Sequence, residues 1–432
     1  MRTALLASAA VAVLWLMPSQ ASIAAPRVPS DDHEVIERLP TRLPGAAPAR
    51  TGAGQRAALR QQAAQAQPNL SLALAAAREA IDQARRSGDP RDWGQAQAVL
   101  APWWKDAEPP GPVRLLRATI RQGLHDFVGA LADLDALLAS PLAVGGPPAL
   151  RRAAFSQSAS PALALHAQAE LTRSSIHQVQ GRYAEARLGC ERLAGDAYAA
   201  LGDGVRTAAQ ACLVELGQLQ GRLSARQADA ALSKLGAADD PWLALLRAEL
   251  AQRTGDRRAD GLFRAASAGE APSLYALATY ADWLLDQHRP ADVVRLLRGY
   301  EAADALLLRI AIARHQLKDE SASELATQLQ ARFDAALARG DRSHAREQAR
   351  FMLDLRHDAP QALVLAQQNW SWQREPADAL LLLRAAAAAG EPQAAEPVRR
   401  WAREQGFVDV RWPSISAAPV RAATPTHSGS AS

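Results

Sequence analysis

The chain has 432 residues, 48% apolar and 22% charged, with a formal net charge of +4. That much apolar material can bury a large interior, which excludes a chain disordered throughout. Ala and Leu dominate and aromatics make up 5%, so intrinsic preference runs to helix and against a strand-rich fold.

Residues 1–24 carry Arg2, an apolar run from Ala4 to Met17, a breaker at Pro18, and small residues at Ala21 and Ala24. This is the pattern of a secretory signal peptide. The run is about 14 residues, short of the roughly 20 needed to span a bilayer. The expectation is an exported chain, periplasmic in a two-membrane bacterium, with no membrane span after cleavage. Only Lys105, Lys234 and Lys318 are lysines among 49 basic residues, and arginines alternate with acids without a dense basic block. Nucleic acid is therefore not the expected partner. Residues 25–68 are rich in Pro, Arg, Ala and Gln and read as a flexible linker.

A helical domain is expected over 69–412. DWGQAQAVLAPWW places Trp93, Ala96, Leu100 and Trp103 on one helical face, and HDFVGALADLDALL does the same with Phe127, Ala130, Leu134 and Leu137. In QGRYAEARLGCERL the stripe is Tyr183, Ala186, Cys190 and Leu193. Each small residue sits where a second helix would cross a first. PADVVRLLR at 290–298 puts Val293, Leu296, Leu297 and Tyr300 at i, i+3, i+4 and i+7, and PADALLLLR at 376–384 repeats it with Ala379, Leu382, Leu383 and Ala386. Proline suits the first turn of such a helix because its missing N–H costs nothing there.

The spacing from Ala96 to Ala130 is 130 − 96 = 34, and from Ala259 to Val293 it is 293 − 259 = 34. Two departures interrupt that period. The proline- and glycine-containing stretch at 139–160 reads as an extended loop, and extra residues between the PAD phrases fall in the irregular 302–357 region. SGDP at 87–90, TGDR at 254–257, RGDR at 339–342 and AGEP at 389–392 place glycine where a helix must stop. Residues 413–432 read as a disordered tail.

A 34-residue helix-turn-helix period, with Gly-x-Tyr before the second helix and a small residue three further on, resembles the tetratricopeptide repeat. Gln180-Gly181-Arg182-Tyr183-Ala184-Glu185-Ala186 carries the resemblance best, while His125, His288 and Arg374 stand at the place of Gly181 in other copies. The resemblance implies an all-α, right-handed superhelical solenoid of antiparallel helix pairs with irregular repeats. It also implies a non-catalytic scaffold that binds a protein or peptide along its concave face. Carried onto this chain, its groove positions are Gln168, Ser175 and Gln178 in the frame of Gly181, Tyr275, Asp282 and Asp286 in that of His288, and Gln368 and Trp372 in that of Arg374. The competing reading is a repeat-containing enzyme or small-ligand-binding component with a pocket in 302–357.

No cofactor, metal site or catalytic residue is expected. The nine histidines are scattered, and HExxH, Gly-x-Ser-x-Gly and a phosphate-loop motif do not occur in the sequence. Asp239 and Asp240, before Pro241, read as a turn and helix start. Cys190 on a second helix and Cys212 on the next first helix either form a disulfide in an oxidising compartment or remain two buried thiols. Core packing is expected for Trp93, Trp104, Trp242, Trp283 and Trp401, and Trp370 and Trp372 are too close in sequence for both to face inward.

Overall fold

The computed structural model describes residues 69–139, 160–237, 240–269, 272–338 and 344–412. The expected signal peptide, linker, 139–160 loop interior, RGDR turn and tail lie outside the described residues. So does Asp239.

Every regular element among the described residues is helical. In chain order they are α1 (Leu70–Ser87), α2 (Pro90–Val99), α3 (Ala101–Trp104), α4 (Gly111–Gly123), α5 (Phe127–Ala139), α6 (Pro161–Val179), α7 (Tyr183–Ala194) and α8 (Asp203–Leu219). Then follow α9 (Ala225–Leu232), α10 (Pro241–Thr254), α11 (Ala259–Ala266), α12 (Leu274–Asp286), α13 (Pro290–Leu296), α14 (Asp304–Gln316) and α15 (Ser321–Ala338). The last are α16 (Ala345–Phe351), continued by a π-helical turn at Met352–Arg356, α17 (Ala359–Trp370), α18 (Pro376–Ala388) and α19 (Glu396–Gln405). Neighbours pack as hairpins: α1 with α2, α4 with α5, α6 with α7, α8 with α9, α10 with α11, α12 with α13, α14 with α15 and α17 with α18. Contacts between successive hairpins make this an all-helical stack. No helix among the described residues is long and apolar enough to cross a membrane.

One turn design recurs through the stack. The residue after the first helix adopts positive φ at Gly88, His125, Gly181, Gly221, Gly255, His288, Lys318 and His357. In six of these turns the next N–H reaches back five residues: Asp126 to Arg121 O, Arg182 to His177 O, Arg222 to Gly217 O, Asp256 to Ala251 O, Arg289 to Leu284 O, and Asp319 to Arg314 O, all at 2.8–3.0 Å. This is the Schellman closure, which satisfies carbonyls that a helix end would otherwise leave bare. The aspartates that follow then cap the next helix or turn: Asp89 accepts from Arg91 N, Asp126 from Gly129 N, Asp319 from Ser321 N and Asp358 from Gln361 N. Asp240 caps α10 in the same manner, accepting from Trp242 N and Leu243 N.

The small residues sit at the crossings as expected. Ala96, Ala130, Ala186, Val293 and Ala379 are all 0% exposed. Pro290 and Pro376 both occupy the first turn of their helices. Trp401 is buried, but Trp242 is 42% exposed, against expectation. It stands in the first turn of α10, where the core-facing residues are Leu243, Leu245 and Leu246.

The row of hairpins also returns on itself. Helix α1 packs against α12, and a Cβ at Gly88 would meet Leu274 Cδ1 at 2.9 Å and Ala303 Cβ at 3.0 Å. The C-terminal elements cross the turn ends of α6, α8 and α10. Arg374 N–H donates to Val179 O at 2.8 Å and Val410 N–H to Arg253 O at 3.0 Å, and a Cβ at Gly181 would lie 2.9 Å from Arg374 Cβ.

Candidate functional site

The groove positions implied by the resemblance fall into two groups. Those on α6 and at the start of α12 stay open. Gln168 and Ser175 are exposed, Gln178 is half-buried, and Tyr275 is 48% exposed. Those on the far half of α12 and on the C-terminal helices are largely engaged within the fold. Asp282 receives Arg309 Nε at 3.0 Å and Nη2 at 2.8 Å, and it also pairs with Arg350. Burial opposes its ionisation, but the two guanidinium groups outweigh that cost and hold its carboxyl below the ordinary value. Asp286, at the exposed end of α12, is shifted the other way: desolvation by the protein around its carboxyl raises its pKa despite nearby Arg350 and Arg411.

Trp372 lies beyond the end of α17 rather than two places along a helix from Trp370. Trp370 is buried, while Trp372 packs, half-buried, on the cluster of Leu115, Ala118, Phe127 and Ile176 from α4, α5 and α6. It therefore joins the C-terminal hairpin to the earlier array. The turn before α18 also departs from the frame used to place it. Arg374 is not left-handed, unlike its counterparts His125 and His288. Its N–H is held by Val179 instead. Gln368 is half-buried, and its backbone carbonyl accepts from Ser371 Oγ.

The open group continues along neighbouring first helices through two residues that the sequence did not single out, Glu215 on α8 and Glu249 on α10. Tyr275 Oη donates to Glu249 Oε1 at 2.7 Å, bridging α12 to α10. Gln178 on α6 stands close enough to Glu215 to favour its ionised form, although burial prevails and raises its pKa. Glu249 is pushed up to about 7, first by burial and then by repulsion from Glu215. Tyr275 keeps nearly half its surface in contact with solvent. Desolvation of its hydroxyl, followed by the charge of Glu249, raises its pKa. Gln178 with Glu215 on α6 and α8, and Glu249 with Tyr275 on α10 and α12, thus form two polar pairs on four successive first helices. The missed signal was positional, since Glu215 and Glu249 recur 34 residues apart.

Cys190 on α7 and Cys212 on α8 are joined by a disulfide, with Cα atoms 6.2 Å apart. The bridge fixes two of the hairpins that carry these pairs. The 302–357 region is filled by α14, α15 and α16, and both ends of α14 are charged while its centre, Leu306 to Ala313, is buried. Among the described residues no group of three or more metal-ligating side chains comes together. Compared with protein-family models and with curated proteins, the chain matches none.

Proposed function

We propose that the stack is a tetratricopeptide-like right-handed array and that it serves as an exported, non-catalytic scaffold, binding a protein or peptide along its first helices. The observation that carries this reading is the pairing of Gln178 with Glu215 and of Glu249 with Tyr275 on α6, α8, α10 and α12. Amide, carboxylate and phenol groups spaced along an extended face suit an extended peptide whose backbone and side chains they can hydrogen-bond, rather than an apolar helix. Gln168 and Ser175 extend the same face on α6.

The test is a peptide-array screen with the mature protein, followed by titration of the best ligand. Gln178→Ala with Tyr275→Ala is expected to weaken binding about tenfold or more while the helical circular-dichroism spectrum stays the same. Unchanged affinity in that double variant would remove these helices as the binding face.

A further inference from the structure

Two histidines that are far apart in the sequence meet in the fold. His315 is the penultimate residue of α14, and His357 directly follows the π-helical turn, a separation of 357 − 315 = 42 residues. Their ring centres nevertheless lie 5.6 Å apart, with the ring planes inclined at 51°. Contact between α14 and the π-helical turn brings them together, and the chain passes His357 in a left-handed conformation with φ of 56°. Wide helical turns of this kind recur at functional sites.

Both residues are exposed, so holding the rings side by side buries little apolar surface. Neither imidazole has a hydrogen-bond or ion-pair partner among the described residues. A neutral imidazole carries one nitrogen lone pair, and two such rings repel once both are protonated. What the pair can do well is share one cation. Two imidazoles on a tetrahedral ion, each nitrogen about 2.0–2.1 Å from the metal, have their ring centres about 5 Å apart. Small rotations of two exposed side chains cover the difference, with no backbone movement. The acids next in each turn are engaged in capping: Asp319 accepts from Ser321 N and Asp358 from Gln361 N, both at 3.0 Å. The ligand set is therefore two neutral ring nitrogens, with the other positions of the ion filled by water. Imidazole suits copper, nickel and zinc, whereas calcium and magnesium take oxygen ligands.

We propose that His315 and His357 together bind one divalent transition-metal ion of the copper, nickel or zinc type, which clamps the end of α14 to the junction leading into α17.

Isothermal titration of the full chain with Cu2+, Zn2+ and Ca2+ tests this, alongside His315→Ala, His357→Asn and, as a control, His288→Asn. Asparagine tolerates the left-handed backbone at 357 and 288, and unchanged circular dichroism checks the fold of all three variants. Cu2+ is expected to bind more tightly than Zn2+, and Ca2+ not at all. Affinity should fall about tenfold or more in His315→Ala and in His357→Asn, at least the loss that follows removal of a mere outer-shell partner, and stay the same in His288→Asn. Electron paramagnetic resonance with one equivalent of Cu2+ should show coupling to two nitrogens in the wild type and to one in each ligand variant. Zn2+ should raise the thermal midpoint of the wild type and leave both ligand variants unmoved. Metal binding and nitrogen coupling that persist unchanged in both ligand variants would mean an adventitious ion only and overturn the site. Binding that depends on both histidines without any rise in the midpoint would overturn the clamp.

Discussion

The phrase PAD opens both α13 and α18, and the two copies live very differently. In α13 the aspartate, Asp292, takes Arg289 Nε at 2.6 Å and pairs with Arg295, both within three residues. In α18 the corresponding Asp378 is buried. It receives Arg346 from α16, Asn369 Nδ2 at 2.7 Å from α17, and the backbone N–H of Glu375 at 2.9 Å. Helix α13 runs 7 residues with Val293 as its buried residue, while α18 runs 13 and buries Leu381, Leu382 and Leu383 in succession. The same local chemistry starts both helices. The surroundings decide whether the helix is a half-covered outer member or a core element pressed on both sides.

The sharpest test of that contrast is charge removal. Asp378→Ala removes one of the two carboxylates that hold the Arg346 guanidinium, together with the acceptor of Asn369 Nδ2, and is expected to cost about 3 kcal/mol. Asp292→Ala breaks pairs that are local and partly hydrated and should cost under about 1 kcal/mol. Chemical denaturation of both variants checks the pair, and equal losses would break the comparison. Comparable in size is Trp372→Ala, expected to lose about 3 kcal/mol because the indole packs on α4 and α6. Asp286→Ala, its counterpart in the first copy, should stay within about 0.5 kcal/mol. Ala379→Leu should overpack the α17–α18 crossing by about 1–3 kcal/mol. Val293→Leu should cost less, since the first copy already accommodates a larger residue there. The smallest expected effect concerns the turns. His288→Gly relieves a left-handed non-glycine residue and should stabilise by about 0.5–1 kcal/mol, whereas Arg374→Gly, where φ is not positive, should destabilise. Thermal melts on the two turn variants would show opposite shifts.

What could be read in the sequence is what depends on near neighbours. Ala186, Ala130 and Ala379 mark helix crossings because only a small side chain lets two helices approach, and the amphipathic stripes around them are local. The turns were legible even where histidine replaces glycine, because the surrounding residues still end one helix and begin another. The partners of Asp378 and Asp282 were not legible. Each depends on an arginine brought from 32 or 68 residues away by the packing of other helices. Trp372 was misplaced for a related reason. Its frame assumed that Arg374 closes an ordinary turn, but that backbone is claimed by Val179. Glu215 and Glu249 look like solvent-facing helix positions until packing half-buries them and Tyr275 of α12 reaches Glu249.

The wide turn at Met352–Arg356 has a bearing on how such a chain tolerates change in length. In six of the other turns the closing bond spans five residues, but Asp358 N–H reaches Met352 O, a span of six. The chain nevertheless leaves through a left-handed residue, His357, and Asp358 caps α17 as its counterparts do. A residue has in effect been swallowed inside the helix, where its surplus backbone is taken up by a wider coil instead of being pushed into the next hairpin. The junction works as an expansion joint: an array built this way can gain or shed a residue within a helix and still deliver the following pair in register.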